Sequence, residues 1–196
     1  MARVDIAAPD ALAQSQQLLD MAGAAMGFTP NSLKIMARKP DLLAGFMALS
    51  GALMGPGASL PPGLRQMIAH ITSAAAGCRY CQAHTAHGAE RHGLAAEKIE
   101  SIWLFETSEL FTEAERAALS LAQAAGSVPN EAGDAHFESL KEHFTEDEIA
   151  EIVGVIAYFG FLNRWNDTLA TPLEENPLAF AEAHLAKNGW DAGSHT

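Results

Sequence analysis

Apolar residues recur along most of this chain at spacings of three and four, the period of helices packed against a common core. Leu12, Leu18, Leu19, Ala22 and Met26 form the apolar side of a predicted helix over residues 9–26, which Phe28-Thr29-Pro30-Asn31 breaks. A short segment over 31–38 leads through Lys39-Pro40 into a second helix at 41–54, with Leu42, Leu43, Phe46, Met47, Leu53 and Met54 in register. Gly55-Pro56-Gly57-Ala58-Ser59-Leu60-Pro61-Pro62-Gly63 is the most loop-like stretch, and its last prolines suit the first turn of the next helix, about 62–76. After Gly77 the pattern resumes over 78–92, stops at His92-Gly93 and resumes again over 94–104. Thr112-Glu113-Ala114-Glu115 and Thr145-Glu146-Asp147-Glu148 are capping boxes that open helices over 112–126 and 146–168, the second with a Phe144/Ile149 staple. A shorter helix over 133–143 lies between them. The last helix, 176–187, precedes a tail expected to be mobile.

No run of alternating β-branched residues calls for a sheet, so the expected fold class is all-α. The expected organisation is a single domain over 1–196. It has N-terminal helices over 1–54, a core section over 60–170 and a C-terminal helix and tail over 171–196. The helix from Thr145 is apolar nearly all round (Ile152, Val153, Val155, Ile156, Tyr158, Phe159, Phe161, Leu162) and must be covered on more than one side, by a central position or by a partner subunit. It ends in a polar-aromatic cluster, Asn163-Arg164-Trp165-Asn166-Asp167, for which helix-end packing and a cleft-lining role both stay open.

Composition narrows the function classes. With 48 % hydrophobic and 18 % charged residues the chain has the material for a real core and is not a disordered segment. Its net charge of −12, with no basic stripe, argues against nucleic acid and against an anionic membrane surface. No apolar leader opens the chain, and the longest apolar run, Ile152 to Leu162, falls short of the roughly 20 residues a bilayer span needs. The expected setting is soluble and cytoplasmic, and in a reducing compartment a lone cysteine pair points to catalysis or metal binding.

That pair is Cys78 and Cys81, the only cysteines, in Cys78-Arg79-Tyr80-Cys81-Gln82-Ala83-His84-Thr85-Ala86-His87. Two thiols one turn apart near a helix start can close a disulfide: one thiolate attacks an oxidised substrate and the other resolves the product. The helix N-terminus, Arg79 and a nearby histidine each favour thiolate over a free thiol with pKa about 8.5. His84 is the expected proton shuttle. His87, a turn further, is expected in support or in solvent, and His70 either faces the cleft or is simply hydrogen-bonded in the packing. Gln66, His70 and Ser73 form a polar stripe on the preceding helix, readable as a cleft lining or as a solvated face. Zinc is the competing occupant for Cys78, Cys81, His84 and His87. Steps of three residues drift by about 60° around a helix, so one tetrahedral ion cannot take all four. The expectation is therefore no metal and no cofactor.

The central motif, together with Gly27-Phe28-Thr29-Pro30-Asn31-Ser32, Leu60-Pro61-Pro62-Gly63-Leu64-Arg65-Gln66 and Phe161-Leu162-Asn163-Arg164-Trp165-Asn166-Asp167, resembles the carboxymuconolactone decarboxylase-like superfamily, in its branch of AhpD-like alkylhydroperoxidases and peroxidase-related proteins. The resemblance implies an all-α bundle with the cysteines on a central helical hairpin, assembled as a homodimer, trimer or hexamer. It implies Cys81 as the peroxide-attacking thiol, Cys78 as the resolving one, and a dithiol donor such as a lipoylated or thioredoxin-like protein. It also implies a relay of a glutamate twelve residues before the first cysteine and a histidine after the second. Here Gln66 occupies the glutamate position, and His84 lies three residues after Cys81 where AhpD has four. The decarboxylases lack the cysteine pair. The expected function is thiol-dependent reduction of peroxides or disulfides. The alternatives are a redox-sensing or scaffold protein with little turnover, favoured by Gln66, and metal binding at Cys78, Cys81 and His84.

Overall fold

The computed structural model describes residues 2–196. It consists of eleven α-helices and short 3₁₀ turns, with no strand among the described residues, as the periodicity predicts. The helices are α1 (Pro9–Gln14), α2 (Gln16–Met26), α3 (Asn31–Met36), α4 (Pro40–Met54), α5 (Pro62–Ala75), α6 (Arg79–Arg91), α7 (Ala96–Glu100), α8 (Glu113–Gly126), α9 (Asp134–Lys141), α10 (Glu146–Leu169) and α11 (Glu175–His184).

Helices α5 and α6 form an antiparallel hairpin at the centre, and α5 also packs on α8 and α10. The turn between them is a Schellman motif: Gly77 N–H bonds the Ala74 carbonyl at 3.0 Å and Cys78 N–H bonds the Ser73 carbonyl at 2.9 Å. Gly77 takes the left-handed conformation this closure requires, at φ 78°. Cys78 thereby becomes the N-cap of α6, with Cys81 on its first turn.

Helix α6 is buried on two sides although its sequence is not strongly apolar. Cys78, Tyr80 and Cys81 face the main core with α5, α8 and α10, whereas Ala83, Ala86 and Ala89 face a second cluster of Ile99, Phe180, Leu185 and Trp190. Alanines on that face let α11 approach closely. Helix α10 packs against α4, α5, α6, α8 and α9, which accounts for most of its apolar circumference. Val153 and Phe161 stay about two-fifths exposed; Leu42 and Leu49 are exposed too, on α4, the helix whose Phe46 meets the Phe161 ring. Among the described residues no helix is long and apolar enough to cross a membrane.

Both threonine capping boxes form, with Glu115 and Glu148 reaching back to Thr112 and Thr145. Some boundaries differ from expectation. The helix predicted over 9–26 is interrupted at Ser15 (φ −104°, ψ 6°), and the one predicted over 94–104 is a single α-turn followed by a 3₁₀ turn. The expected mobile tail is instead docked. Trp190 and His195 are 6 % and 2 % exposed, and the His195 carbonyl accepts from Leu173 N–H at 2.8 Å. An indole and an imidazole buried with hydrogen-bond partners hold a segment that its glycine and serine content alone would leave loose.

Candidate functional site

The thiols occupy the N-terminal end of α6, where unpaired N–H groups and the helix dipole favour negative charge. Cys78 Sγ accepts from the Cys81 N–H at 3.4 Å, and Cys81 Sγ accepts from Asn166 Nδ2 of α10 at 3.4 Å. Both are free and buried. The Cys78 thiol is pushed far up by its hydrogen bond to Cys81, then by burial and by the negative charges of Cys81 and Asp167. Proton removal from Cys78 is thus held back while the pair is reduced.

One turn beyond Cys81, His84 Nε2 lies 2.6 Å from Glu174 Oε2, with both side chains about nine-tenths buried. Glu174 precedes α11 and also accepts from the Tyr80 hydroxyl at 2.9 Å and from the Asn31 backbone N–H that opens α3. Burial alone would raise the Glu174 carboxyl. The hydrogen bond and charge of His84 and the Asn31 N–H outweigh it and hold the group below the usual glutamate value. Burial, together with the charge and hydrogen bond of Glu174, keeps Tyr80 protonated far into the alkaline range. The His84 ring stacks on Tyr80 with centroids 4.2 Å apart and meets Phe28 edge-on at 5.4 Å. Two ring contacts and a buried carboxylate fix the orientation of the His84 imidazole.

Two of the other expected site residues, Gln66 and His70, lie where α5 packs on α6. The Gln66 amide packs on Gly88, where an added Cβ would meet its Oε1 at 2.8 Å. Gly88 lies seven residues beyond Cys81, about 10 Å along the helix. His70 bonds the Gln82 carbonyl and Thr85 Oγ1 through Nδ1, and burial lowers its pKa to about 4, so it is a neutral packing group. The Ser73 hydroxyl bonds the Ala69 carbonyl. Of the stripe Gln66–His70–Ser73, His70 hydrogen-bonds across to α6, the half-buried Gln66 packs on it, and Ser73 bonds within α5. His87 touches the rings of Phe28 and Phe180, and burial lowers its pKa. Arg79 turns to the Gly189 carbonyl and Asp191.

The cluster Asn163–Asp167 does reach the site. Asn166 holds the Cys81 sulfur, while Asp167 Oδ1 lies 3.0 Å from His195 Nε2. Cys78 Sγ, an Asp167 oxygen and a His195 nitrogen lie within 4.8 Å of one another, a donor set of the kind that holds a divalent ion. Asn166 Oδ1 and both amide atoms of the buried Asn163 have no hydrogen-bond partner among the described residues. Glu174 and His195 carry no sequence signal: one stands beside an equivalent Glu175 and the other in a tail of small residues.

The fold is shared with known proteins. The carboxymuconolactone decarboxylase family model matches residues 40–124. The apo structure of the debrominase Bmp8 is 33 % identical and covers 92 % of this chain and 96 % of its own, at a TM-score of 0.85. This chain belongs to the carboxymuconolactone decarboxylase family, in its AhpD-like branch. A Cys-to-Ala variant of Bmp8 in complex with 2,3,4-tribromopyrrole gives 32 % identity, the same coverages and a TM-score of 0.86. An uncharacterized peroxidase-related protein with an AhpD core, from Ralstonia eutropha JMP134, is 27 % identical over 92 % of this chain and 95 % of its own, at 0.79. No curated protein sequence matches. Position 66, where the resemblance implies a glutamate, holds Gln66, and the buried carboxylate next to His84 is Glu174.

Proposed function

We propose that this protein is a thiol-dependent reductase of a small electrophile, peroxide in the first instance, working through Cys81 and Cys78 with His84 and Glu174 as its proton relay. The observation that carries the reading is the His84–Glu174 contact at 2.6 Å, one turn from the cysteine pair. Cys81 thiolate attacks a peroxide oxygen; the S–O bond forms, the O–O bond breaks, and the leaving alkoxide takes a proton from His84. Cys78 then attacks the Cys81 sulfur, and the sulfenic oxygen departs as water, leaving a disulfide. An external dithiol restores the pair, a chemistry that suits a cytoplasmic location. The orphan amide atoms of Asn163 and Asn166 are the polar groups available to the substrate. The exposed face of Leu42, Leu49, Val153 and Phe161 is the surface proposed for self-association.

A second electrophile is favoured by the 33 % identity to the debrominase Bmp8 over nearly the whole chain. With a brominated pyrrole, Cys81 sulfur takes the bromine, the ring carbon takes a proton, and Cys78 displaces bromide to give the same disulfide. The test is turnover of a peroxide and of 2,3,4-tribromopyrrole side by side with dithiothreitol, for wild type and Cys81→Ser. Turnover of either substrate, lost in the serine variant, supports the reading and selects the electrophile. No turnover of either, with a disulfide that forms only with disulfide oxidants, contradicts it and returns the redox-sensing alternative.

A further inference from the structure

Three electron-pair donors from separate parts of the chain converge beside the N-terminal end of α6. Cys78 Sγ, an Asp167 carboxylate oxygen and a His195 ring nitrogen lie within 4.8 Å of one another, with Cys78 and His195 buried. His195 Nε2 is 3.0 Å from Asp167 Oδ1, and Nδ1 is 2.8 Å from the Thr171 carbonyl. That carbonyl takes up Nδ1 and fixes the ring, the outer contact that metal-bound histidines use, and leaves Nε2 as the nitrogen that can coordinate. The tail that delivers His195 is firmly docked. The Leu173 N–H bonds the His195 carbonyl, and the Trp190 indole N–H bonds the Arg79 carbonyl at 3.2 Å. The Asp167 side chain is 40 % exposed, which gives an ion a way from solvent to the buried sulfur and ring. Four ligands spaced along α6 cannot share one ion, but here α6 supplies only Cys78, while α10 supplies Asp167 and the tail supplies His195.

We propose that Cys78, Asp167 and His195 form a binding site for a thiophilic divalent cation, zinc, and that the ion competes with the disulfide for Cys78. Thiolate, imidazole and carboxylate are ligands that zinc accepts together, whereas magnesium and calcium ask for oxygen. Three protein ligands leave one tetrahedral position for water. Cys81 stands outside the set, its sulfur held by Asn166 Nδ2, and His84 is engaged with Glu174. The ion site and the redox pair therefore meet only at Cys78. The competition rests on the proposed redox cycle; the ion site does not. Once peroxide has converted Cys81 to its sulfenic acid, the Zn–S bond to Cys78 and the S–O bond on Cys81 break. The Cys78–Cys81 S–S bond forms, and the zinc ion and a hydroxide leave. Zinc keeps its oxidation state throughout. A loaded site thus holds Cys78 back from closure, and oxidation discharges the ion.

The test is zinc binding by the reduced wild-type protein, titrated without oxygen against a chromophoric chelator, with cobalt(II) as the spectroscopic probe. One equivalent of zinc is expected, and with cobalt a thiolate-to-metal charge-transfer band. Cys78→Ser is expected to abolish both. Asp167→Asn and His195→Gln are each expected to weaken binding at least about tenfold, the loss that changing even an outer contact can bring. Cys81→Ser and His84→Gln are expected to bind as the wild type does, which separates this site from one built on both cysteines and His84. Circular dichroism confirms folding, and the near-isosteric Asp167→Asn keeps the test decisive if His195→Gln loosens the tail. No zinc bound, binding untouched by Asp167→Asn and His195→Gln, or binding lost with Cys81→Ser or His84→Gln overturns the site. For the competition, peroxide is expected to release one zinc ion to the chelator for each disulfide formed. Zinc that stays bound as the disulfide forms overturns the competition. A protein that binds zinc as described but forms no disulfide upholds the site and removes the redox reading, and the competition with it.

Discussion

Glu174→Gln isolates the contribution of the carboxylate behind His84. The side chain takes three donors: His84 Nε2 at 2.6 Å, the Tyr80 hydroxyl at 2.9 Å and the Asn31 N–H. Glutamine keeps the shape and one acceptor oxygen, but removes the charge and turns an NH₂ towards part of that set. Hydrogen bonds to a charged partner contribute roughly 1.5–3 kcal/mol against about 1 for neutral ones, and a buried donor left unpaired costs about 1–3 kcal/mol. With the carboxylate only 11 % exposed, the expected loss is about 3 kcal/mol, read as a lower urea midpoint. The chemistry should suffer as well. General acid–base catalysis is worth about 10²–10⁴-fold, and His84 remains present though unanchored, so the expected loss is about 10²-fold in the peroxide step. Because the folded carboxyl is held low, its stabilisation is present above the ordinary glutamate pKa and is lost as pH falls through the folded value. The variant should therefore show a flatter acid limb. Urea unfolding at several pH values and single-turnover thiol oxidation measure both effects. Wild-type rate with wild-type stability would refute the reasoning.

Two further outcomes follow from where the structure puts Gln66 and His70. Gln66→Glu is expected to change peroxide turnover by less than about twofold, since the side chain lies on Gly88, about 10 Å along α6 from Cys81; a large gain in kinetic assays would mean that position 66 reaches the thiols after all. His70 is neutral in the fold, because burial lowers its pKa to about 4 from the ordinary histidine value of about 6.5. The unfolded chain takes the proton first, so stability should fall by about 3 kcal/mol as pH drops from about 6.5 to 4. His70→Gln should flatten that part of the urea-midpoint profile, and an identical slope in both proteins would count against it.

The helices and their caps were legible in the sequence because they are local. Thr112-Glu115 and Thr145-Glu148 close within one turn, and Gly77 supplies the one left-handed residue the α5–α6 hairpin needs. The thiol pair was legible for the same reason. The groups that surround it were not, because they arrive from far along the chain. Glu174 is 90 residues from His84, Asn166 is 85 from Cys81, and His195 comes from the last turn of a docked tail. Spacing along α5 left Gln66, His70 and Ser73 readable as a cleft lining or as a solvated face; spacing cannot tell that Gly88 and Thr85 on α6 take up Gln66 and His70. Asn163–Asp167 stood out as polar residues at the end of an apolar helix, yet only the placement of α10 against α6 gives Asn166 and Asp167 their sulfur neighbours.

The central claim is that Cys78 and Cys81 form a redox pair, and intact-mass spectrometry of the reduced protein after one equivalent of peroxide tests it most directly. The account predicts quantitative loss of two hydrogens in the wild type, reversed by a dithiol. It predicts a dimedone-trappable sulfenic acid on Cys81 in Cys78→Ser, and no comparable oxidation in Cys81→Ser. Two thiols that stay free in the wild type, or a sulfenic acid that forms on Cys78 instead, would contradict it.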